Sequence, residues 1–115
     1  MPDKPFNREL KRGTLDMILL KLISLRQMYG YELVAALNQH GSELFQIKEG
    51  TLYPVLYRLE DGGFIEPRWE TLDRGVPRKY YRLTEAGQEH LANLTTNWKK
   101  FTAMIEHLLE IEEVP

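Results

Sequence analysis

The chain has 115 residues, room for one domain with a single modest core. Hydrophobic residues make up 43% and charged residues 28%, the balance of a globular protein, and the absence of cysteine excludes disulfides, thiolate metal sites and cysteine nucleophiles. The net charge of −2 and pI of about 5.9 run against the basic balance of a typical nucleic-acid binder.

That charge is unevenly placed. Residues 1–83 carry 13 Lys/Arg against 11 Asp/Glu, whereas residues 84–115 carry 2 against 6, which is compatible with DNA contact at one end only. The N-terminal MPDKPFNRELKRG has no apolar h-region, and the stretch from Met17 to Leu25 is broken by Lys21 and far too short to span a bilayer. The expectation is a cytoplasmic protein with no membrane partner.

Leu15, Ile18, Leu19, Leu22 and Ile23 recur at helical spacing and predict a first helix ending near Arg26. Its start has two candidates, an early turn capped by Asn7 or a restart at Gly13-Thr14. A second helix fits Tyr31 to His40, with Leu33, Val34 and Leu37 inward and Gly41 as its stop. Leu44-Phe45-Gln46-Ile47 is β-prone and reads as one short strand.

The third helix, about Glu49 to Asp61, buries Leu52, Val55, Leu56 and Leu59 and leaves Thr51, Tyr53, Pro54, Tyr57 and Arg58 toward the outside. Pro54 signals a kink or a late start, because it has no N–H to give. Gly62-Gly63 ends the helix. Two strands follow, about Phe64 to Glu70 and Arg78 to Leu83, with Pro67 confining the first to a sheet edge and Tyr80 and Tyr81 on opposite faces. Thr84 is an N-cap for a long last helix, with Glu85 near its N-terminal dipole.

In that last helix Leu91, Leu94, Trp98, Phe101, Ile105 and Leu108 follow alternating steps of three and four, the seam of a coiled coil. A chain this small has nothing left to cover such a seam, so these six residues are the candidate interface of a homodimer.

A helix followed by a β-ribbon with a basic tip is how a winged helix-turn-helix meets DNA: the helix enters the major groove and the ribbon reaches the flanking backbone or minor groove. The tip holds Arg74, Arg78, Lys79 and Arg82 with no acid between the first and last, and Gly75 lets the turn approach closely. The candidate DNA-contacting residues are Lys48, Thr51, Tyr53, Tyr57 and Arg58 around the third helix and Arg74, Gly75, Arg78 and Lys79 in the ribbon. Tyr53 and Tyr57 have a second reading as rings packed on neighbouring helices with their hydroxyls wet. His40, His90 and His107 match no metal-ligand spacing, and no phosphate loop or nucleophile motif occurs, so neither cofactor, metal nor catalytic residue is expected.

The segments Tyr29-Gly30-Tyr31-Glu32-Leu33, Gly50-Thr51-Leu52-Tyr53-Pro54, Arg58-Leu59-Glu60 and Pro77-Arg78-Lys79-Tyr80-Tyr81-Arg82-Leu83-Thr84 resemble the PadR family of transcriptional regulators over about residues 10 to 110. The resemblance implies a mainly α fold with a small β-wing: a winged helix-turn-helix in residues 1–83 and a dimerisation helix in 84–115, as in the family's short branch. It further implies repression, as a homodimer, at palindromic double-stranded operators. Small aromatic or lipophilic effectors are also implied, for which Met17, Trp98 and Phe101 near the dimer centre are the candidate site. Three positions depart from the family pattern: Lys48 where a Ser cap is frequent, Val76 where the wing is commonly basic, and Tyr29 where His is frequent. The competing expectation, which the acidic pI suits, is a winged helix used for protein–protein contact without specific DNA binding.

Overall fold

A computed structural model describes the backbone of residues 5–41, 46–71 and 75–115, and side chains within those ranges from residue 14 onward. The elements are α1 (Pro5–Leu25), β1 (Met28–Tyr29), α2 (Gly30–His40), α3 (Glu49–Asp61), β2 (Ile65–Glu70), β3 (Arg78–Leu83) and α4 (Glu85–Glu110). Leu15, Leu19, Leu20 and Ile23 of α1, Leu33 and Leu37 of α2, and Leu52, Val55, Leu56 and Leu59 of α3 meet in one core, which Met28, Ile65 and Tyr81 close from the sheet side.

α1 runs unbroken through Gly13 and Thr14, so the restart expected there is absent, and the helix begins at Pro5, ahead of Asn7. Proline suits a first helical position because its missing N–H would have no intrahelical partner. α2 begins one residue early, at Gly30, and the Glu32 carboxylate accepts the Tyr29 N–H at 3.3 Å. Gly30 is where α2 meets α3: a Cβ there would lie 2.2 Å from the Tyr53 hydroxyl oxygen.

The three-stranded antiparallel sheet has the order β1-β3-β2, and Pro67 sits on the edge strand as expected. Its third strand is Met28–Tyr29, paired with Tyr81 and Tyr80, and not the expected 44–47 segment. Leu44 and Phe45 lie outside the described residues. Gln46 and Ile47 are not a strand, because the Asn38 carboxamide takes both backbone groups of Ile47. Asn38 Oδ1 accepts its N–H at 2.9 Å, Nδ2 donates to its carbonyl at 3.3 Å, and Gln46 Nε2 donates to the Asn38 carbonyl at 3.3 Å. The buried Ile47 is thus delivered to the core by a side-chain clamp from α2.

α3 has the expected bounds and the expected buried residues, and Pro54 lies inside it at an exposed position, which removes the late start as an explanation. The helix ends in a Schellman arrangement. Gly63 takes φ +80 and donates to the Glu60 carbonyl, and Phe64 donates to the Leu59 carbonyl, both at 3.0 Å. The Phe64 carbonyl then accepts the Thr84 N–H at 3.1 Å, and the Thr84 hydroxyl donates to the Gly63 carbonyl at 2.6 Å while accepting the Gly87 N–H at 3.0 Å. Thr84 is therefore both the cap of α4 and the tie between α3 and α4.

α4 leaves the domain as an arm. The radius of gyration is 16.8 Å, against about 13 Å for a compact chain of this length, and the longest dimension is 68 Å. Leu91 and Leu94, the start of the expected seam, are partly buried against the core of their own chain, Leu91 beside Ile18 and Leu22 of α1. Beyond them Trp98, Phe101 and Leu108 are exposed.

Gly87 is the tightest point of the α3–α4 junction, since a Cβ there would sit 1.9 Å from the Phe64 carbonyl oxygen, a backbone atom with little freedom to move. Gly87→Ala should destabilise the fold by about 1–3 kcal/mol. Gly50→Ala, where a Cβ meets nothing within 4 Å, should stabilise it by about 0.5–1 kcal/mol. Urea unfolding of both variants checks the contrast; equal midpoints would refute the close packing at Gly87.

Candidate nucleic-acid interface

Period-two alternation divides the sheet into two chemically different faces. Ile65, Tyr81 and Leu83 look inward, and toward the open end of the ribbon the same face carries Trp69 paired in register with Lys79. The outer face carries Glu66, Arg68 and Glu70 opposite Arg82, Tyr80 and Arg78, with Tyr29 of β1 alongside.

Most cations of the outer face are engaged within the chain. Arg82 pairs with Glu66. Arg68 donates to Gln27 Oε1 at 2.7 Å, lies 3.6 Å from Glu70, and has its guanidinium 5.3 Å from the centre of the Tyr80 ring. Arg78 is exposed and stacks 4.7 Å over the Tyr29 ring, with no acidic partner among the described residues. Among the described residues of this face, its charge is the one without an acidic partner. Gly75 at the turn has φ +101, a conformation glycine adopts freely. Arg74 lies outside the described residues.

Lys79 is not the tip cation that the sequence reading made it. It is on the inner face, its ammonium 2.9 Å from Glu60 Oε1 of α3 and 5.3, 5.7 and 5.9 Å from the centres of the Tyr81, Tyr57 and Trp69 rings. Burial works to lower its pKa, but hydrogen bonding and charge from Glu60, with Tyr81 beside it, outweigh that and hold it above the ordinary 10.5. Burial in turn raises the Tyr81 hydroxyl.

On α3 the exposed side carries Gly50, Thr51, Pro54, Tyr57 and Arg58. Arg58 reaches Asp16 of α1 at 2.5 Å with most of its side chain still in solvent, so it retains a face for a second partner. Lys48 is exposed at the N-cap and makes no side-chain cap bond, consistent with a side chain that has no acceptor. Tyr53 turns inward against Gly30 and the core, and its pKa is raised first by burial, then by Glu49 and Tyr57. The Tyr53 ring is thus packed on the core. Tyr57, 52% exposed, stays at the surface.

The structure brings Thr51, Tyr57, Arg58, Lys79 and Arg78 to α3 and the adjoining ribbon, and separates them from the candidate effector residues. Trp98 and Phe101 adjoin each other on α4, ring centres 6.5 Å apart, 39% and 52% exposed. Met17 lines a cleft of about 490 Å³ between α1 and α4 with Ile18, Leu22, Leu91, Thr95 and Lys99, which neither ring enters. His90 stacks on Phe64 at 4.1 Å, a packing role, while His40 and His107 are exposed. No three His, Asp or Glu converge on a metal-sized point among the described residues. No described helix is long and apolar enough to cross a membrane. Three contributors escaped the sequence reading: Asn38, Glu60 and Trp69. An asparagine near the end of a helix was a signal for the first, since its amide competes for backbone groups.

Comparison with known proteins gives a consistent result. The family model "Transcriptional regulator PadR-like family" matches residues 19–93. The crystal structure of a PadR family transcriptional regulator from Eggerthella lenta superimposes with a TM-score of 0.82 at 38% identity, covering 90% of this chain and 88% of that one. Transcriptional regulator Rv3488 of Mycobacterium tuberculosis is 33% identical over 84 residues, 73% of this chain and 75% of that protein. The negative transcriptional regulator PadR of Bacillus subtilis is 27% identical over 77 residues, 67% of this chain and 42% of that protein. The structure of Bacillus subtilis PadR in complex with operator DNA shares the fold at a TM-score of 0.64 and 24% identity, over 89% of this chain and 50% of that one.

Glu60 Oε1 has almost no solvent access and no hydrogen bond beyond its ion pair with Lys79, so removing Lys79 leaves a buried charge unpaired. Lys79→Ala should therefore cost about 1–3 kcal/mol, whereas Arg78→Ala, on an exposed side chain, should stay within about 0.5 kcal/mol. Folding favours the protonated amine, so while Glu60 is ionised this contribution is complete below pH 10.5 and is lost as the pH rises through the higher folded-state value. Denaturation at neutral pH and above pH 10.5 measures it: the gap between wild type and Lys79→Ala should be open at neutral pH and close as the pH rises through the alkaline range.

Proposed function

We infer function from one premise, that this chain belongs to the PadR-like family of transcriptional regulators. We propose that it acts as a homodimeric repressor on a palindromic operator. In this reading residues 1–83 bind DNA, with α3 entering the major groove and the ribbon end following the backbone. Residues 84–115 join the subunits. The observation that carries the DNA reading is the position of Arg78: an exposed cation without an acidic partner among the described residues, on the ribbon beside a helix whose outer face presents Thr51, Tyr57 and Arg58. The name of the Bacillus subtilis relative, a negative regulator, supports repression.

The exposed part of α4 supports the dimer. Trp98, Phe101, Met104 and Leu108 stay in water in the single chain, and burying them on a second copy is worth roughly 25 cal/mol per Å² of apolar area removed from solvent. A small aromatic or lipophilic effector would enter near the paired Trp98 and Phe101 rings and act only by distinguishing the DNA-competent dimer from another arrangement. The cleft lined by Met17 is a neighbouring apolar space.

Two measurements test this. Removing Arg78 deletes one phosphate contact per wing and two per dimer, so Arg78→Ala should flatten the slope of log K against log salt by about 1.8; an unchanged slope takes phosphate contact away from this residue. Trp98→Asp would bury a charge in the apolar interface, and light scattering should find it monomeric where the wild type is dimeric. A wild-type monomer at micromolar concentration would end the dimer reading.

A further inference from the structure

The strip of surface that joins α3 to the ribbon is aromatic, and the Lys79–Glu60 pair within it is neutral as a unit, where a phosphate-binding surface calls for free cations. Trp69, the penultimate residue of β2, shares its sheet face with Lys79 and Tyr81, the face turned toward α3. Its indole is 62% exposed, a large apolar group left in water by the fold of a single chain. The Lys79 nitrogen that lies under it also lies beside the Tyr57 ring of α3, so the two exposed rings flank one ammonium. Glu60 already neutralises that ammonium at 2.9 Å. A duplex that touches both the outer face of α3 and the end of the ribbon must lie across this strip.

We propose that Trp69 is a DNA-contacting residue that recognises the apolar part of the duplex, deoxyribose or the thymine methyl group, from a seat formed by Lys79 and flanked by Tyr57. The inference rests on the DNA-binding reading above. An indole suits the role because it offers a broad apolar face at low conformational cost, and because its contact releases no counterion. Trp69 therefore contributes affinity that salt does not titrate, beside the salt-sensitive contribution of Arg78.

The test uses the full chain and a duplex enriched from a random-sequence library by the wild-type protein, with binding followed by fluorescence anisotropy over a salt series. Trp69→Ala should bind about tenfold or more weakly at every salt concentration, with the wild-type slope. Trp69→Phe should keep most of the affinity, and both variants should melt with the wild type because the side chain is mostly exposed. Trp69→Gln, a polar chain that leaves the fold undisturbed at an exposed site, should repeat the loss. Replacing thymine by deoxyuridine assigns the contact: a penalty for wild type that is absent in Trp69→Ala identifies the methyl group, and no penalty in either identifies the sugar. Wild-type affinity in Trp69→Ala and Trp69→Gln overturns the inference and leaves the DNA-binding reading standing. A loss accompanied by a flatter salt slope also overturns it, since that pattern belongs to a displaced cation. A library from which the wild type enriches nothing overturns both.

Discussion

The carbonyl group of Phe64 fixes how the parts of this protein sit on one another. It follows directly on the left-handed turn at Gly63 that ends α3, it accepts the N–H of Thr84 that begins α4, and it stands where a side chain at Gly87 would be. The end of α3, the root of the ribbon and the start of the long arm are thus joined at one peptide group. The Thr84 hydroxyl closes the ring by donating to Gly63 and accepting from Gly87. Each of these groups would otherwise be an orphan at a helix end, so the junction satisfies polar backbone while it sets direction.

A second coupling holds the far end of the ribbon. Lys79 reaches across from β3 to Glu60 in the last turn of α3, inside a cluster made by Tyr57, Trp69 and Tyr81. Neither side chain is more than a third exposed, so the pair is screened less than the surface pairs around it, such as Arg68 with Glu70. The result is a ribbon anchored to α3 at both ends, by backbone at Phe64 and by charge at Lys79. Among the described residues of the ribbon, Arg68, Lys79 and Arg82 have acidic partners within the chain, so the net charge of −2 does not measure which cations are free at this surface. Among those residues Arg78 is the cation without an acidic partner, which is why the proposed function rests on it.

Much of this was legible in the sequence. The bounds and buried residues of α3 follow from period 3.6 and a glycine pair, and the Thr84 cap follows from residue type and position. What was not legible has a common cause in contacts between distant segments. Strand β1 is two residues long and exists only because Tyr29 and Met28 find β3, some fifty residues on, so no local alternation announces it. Asn38 and Ile47 are linked by a carboxamide that replaces a strand partner, which made a β-prone stretch look like a strand. Tyr53 and Tyr57 are four residues apart on one helix and alike in type; only the approach of Gly30 turns the first inward. Lys79 reads as one more cation in a basic run until α3 supplies Glu60.

The same junctions bear on how a signal in the arm would reach DNA. α4 is attached to the domain by Thr84 and Gly87 at its root and by Leu91 and Leu94 packed against the core, Leu91 beside Ile18 and Leu22 of α1. Its first turns therefore move with α3, while Trp98 and everything beyond it project into solvent. In the proposed dimer the two arms pair through those projecting turns, and the angle between α3 and α4, set at Phe64, becomes the angle between the two recognition helices. Under the proposed function, a change of arm pairing at Trp98 and Phe101 would reach α3 as a rigid rotation, because hydrogen bonds through Gly63, Phe64 and Thr84 tie α4 to the end of α3 at that junction. Half-site spacing on a duplex is quantised by the helical repeat, so a rotation that misplaces one recognition helix is enough to cost its contacts. Under the proposed function, close packing at Gly87 and exposure at Trp98 are for that reason complementary: the first would transmit what the second would sense.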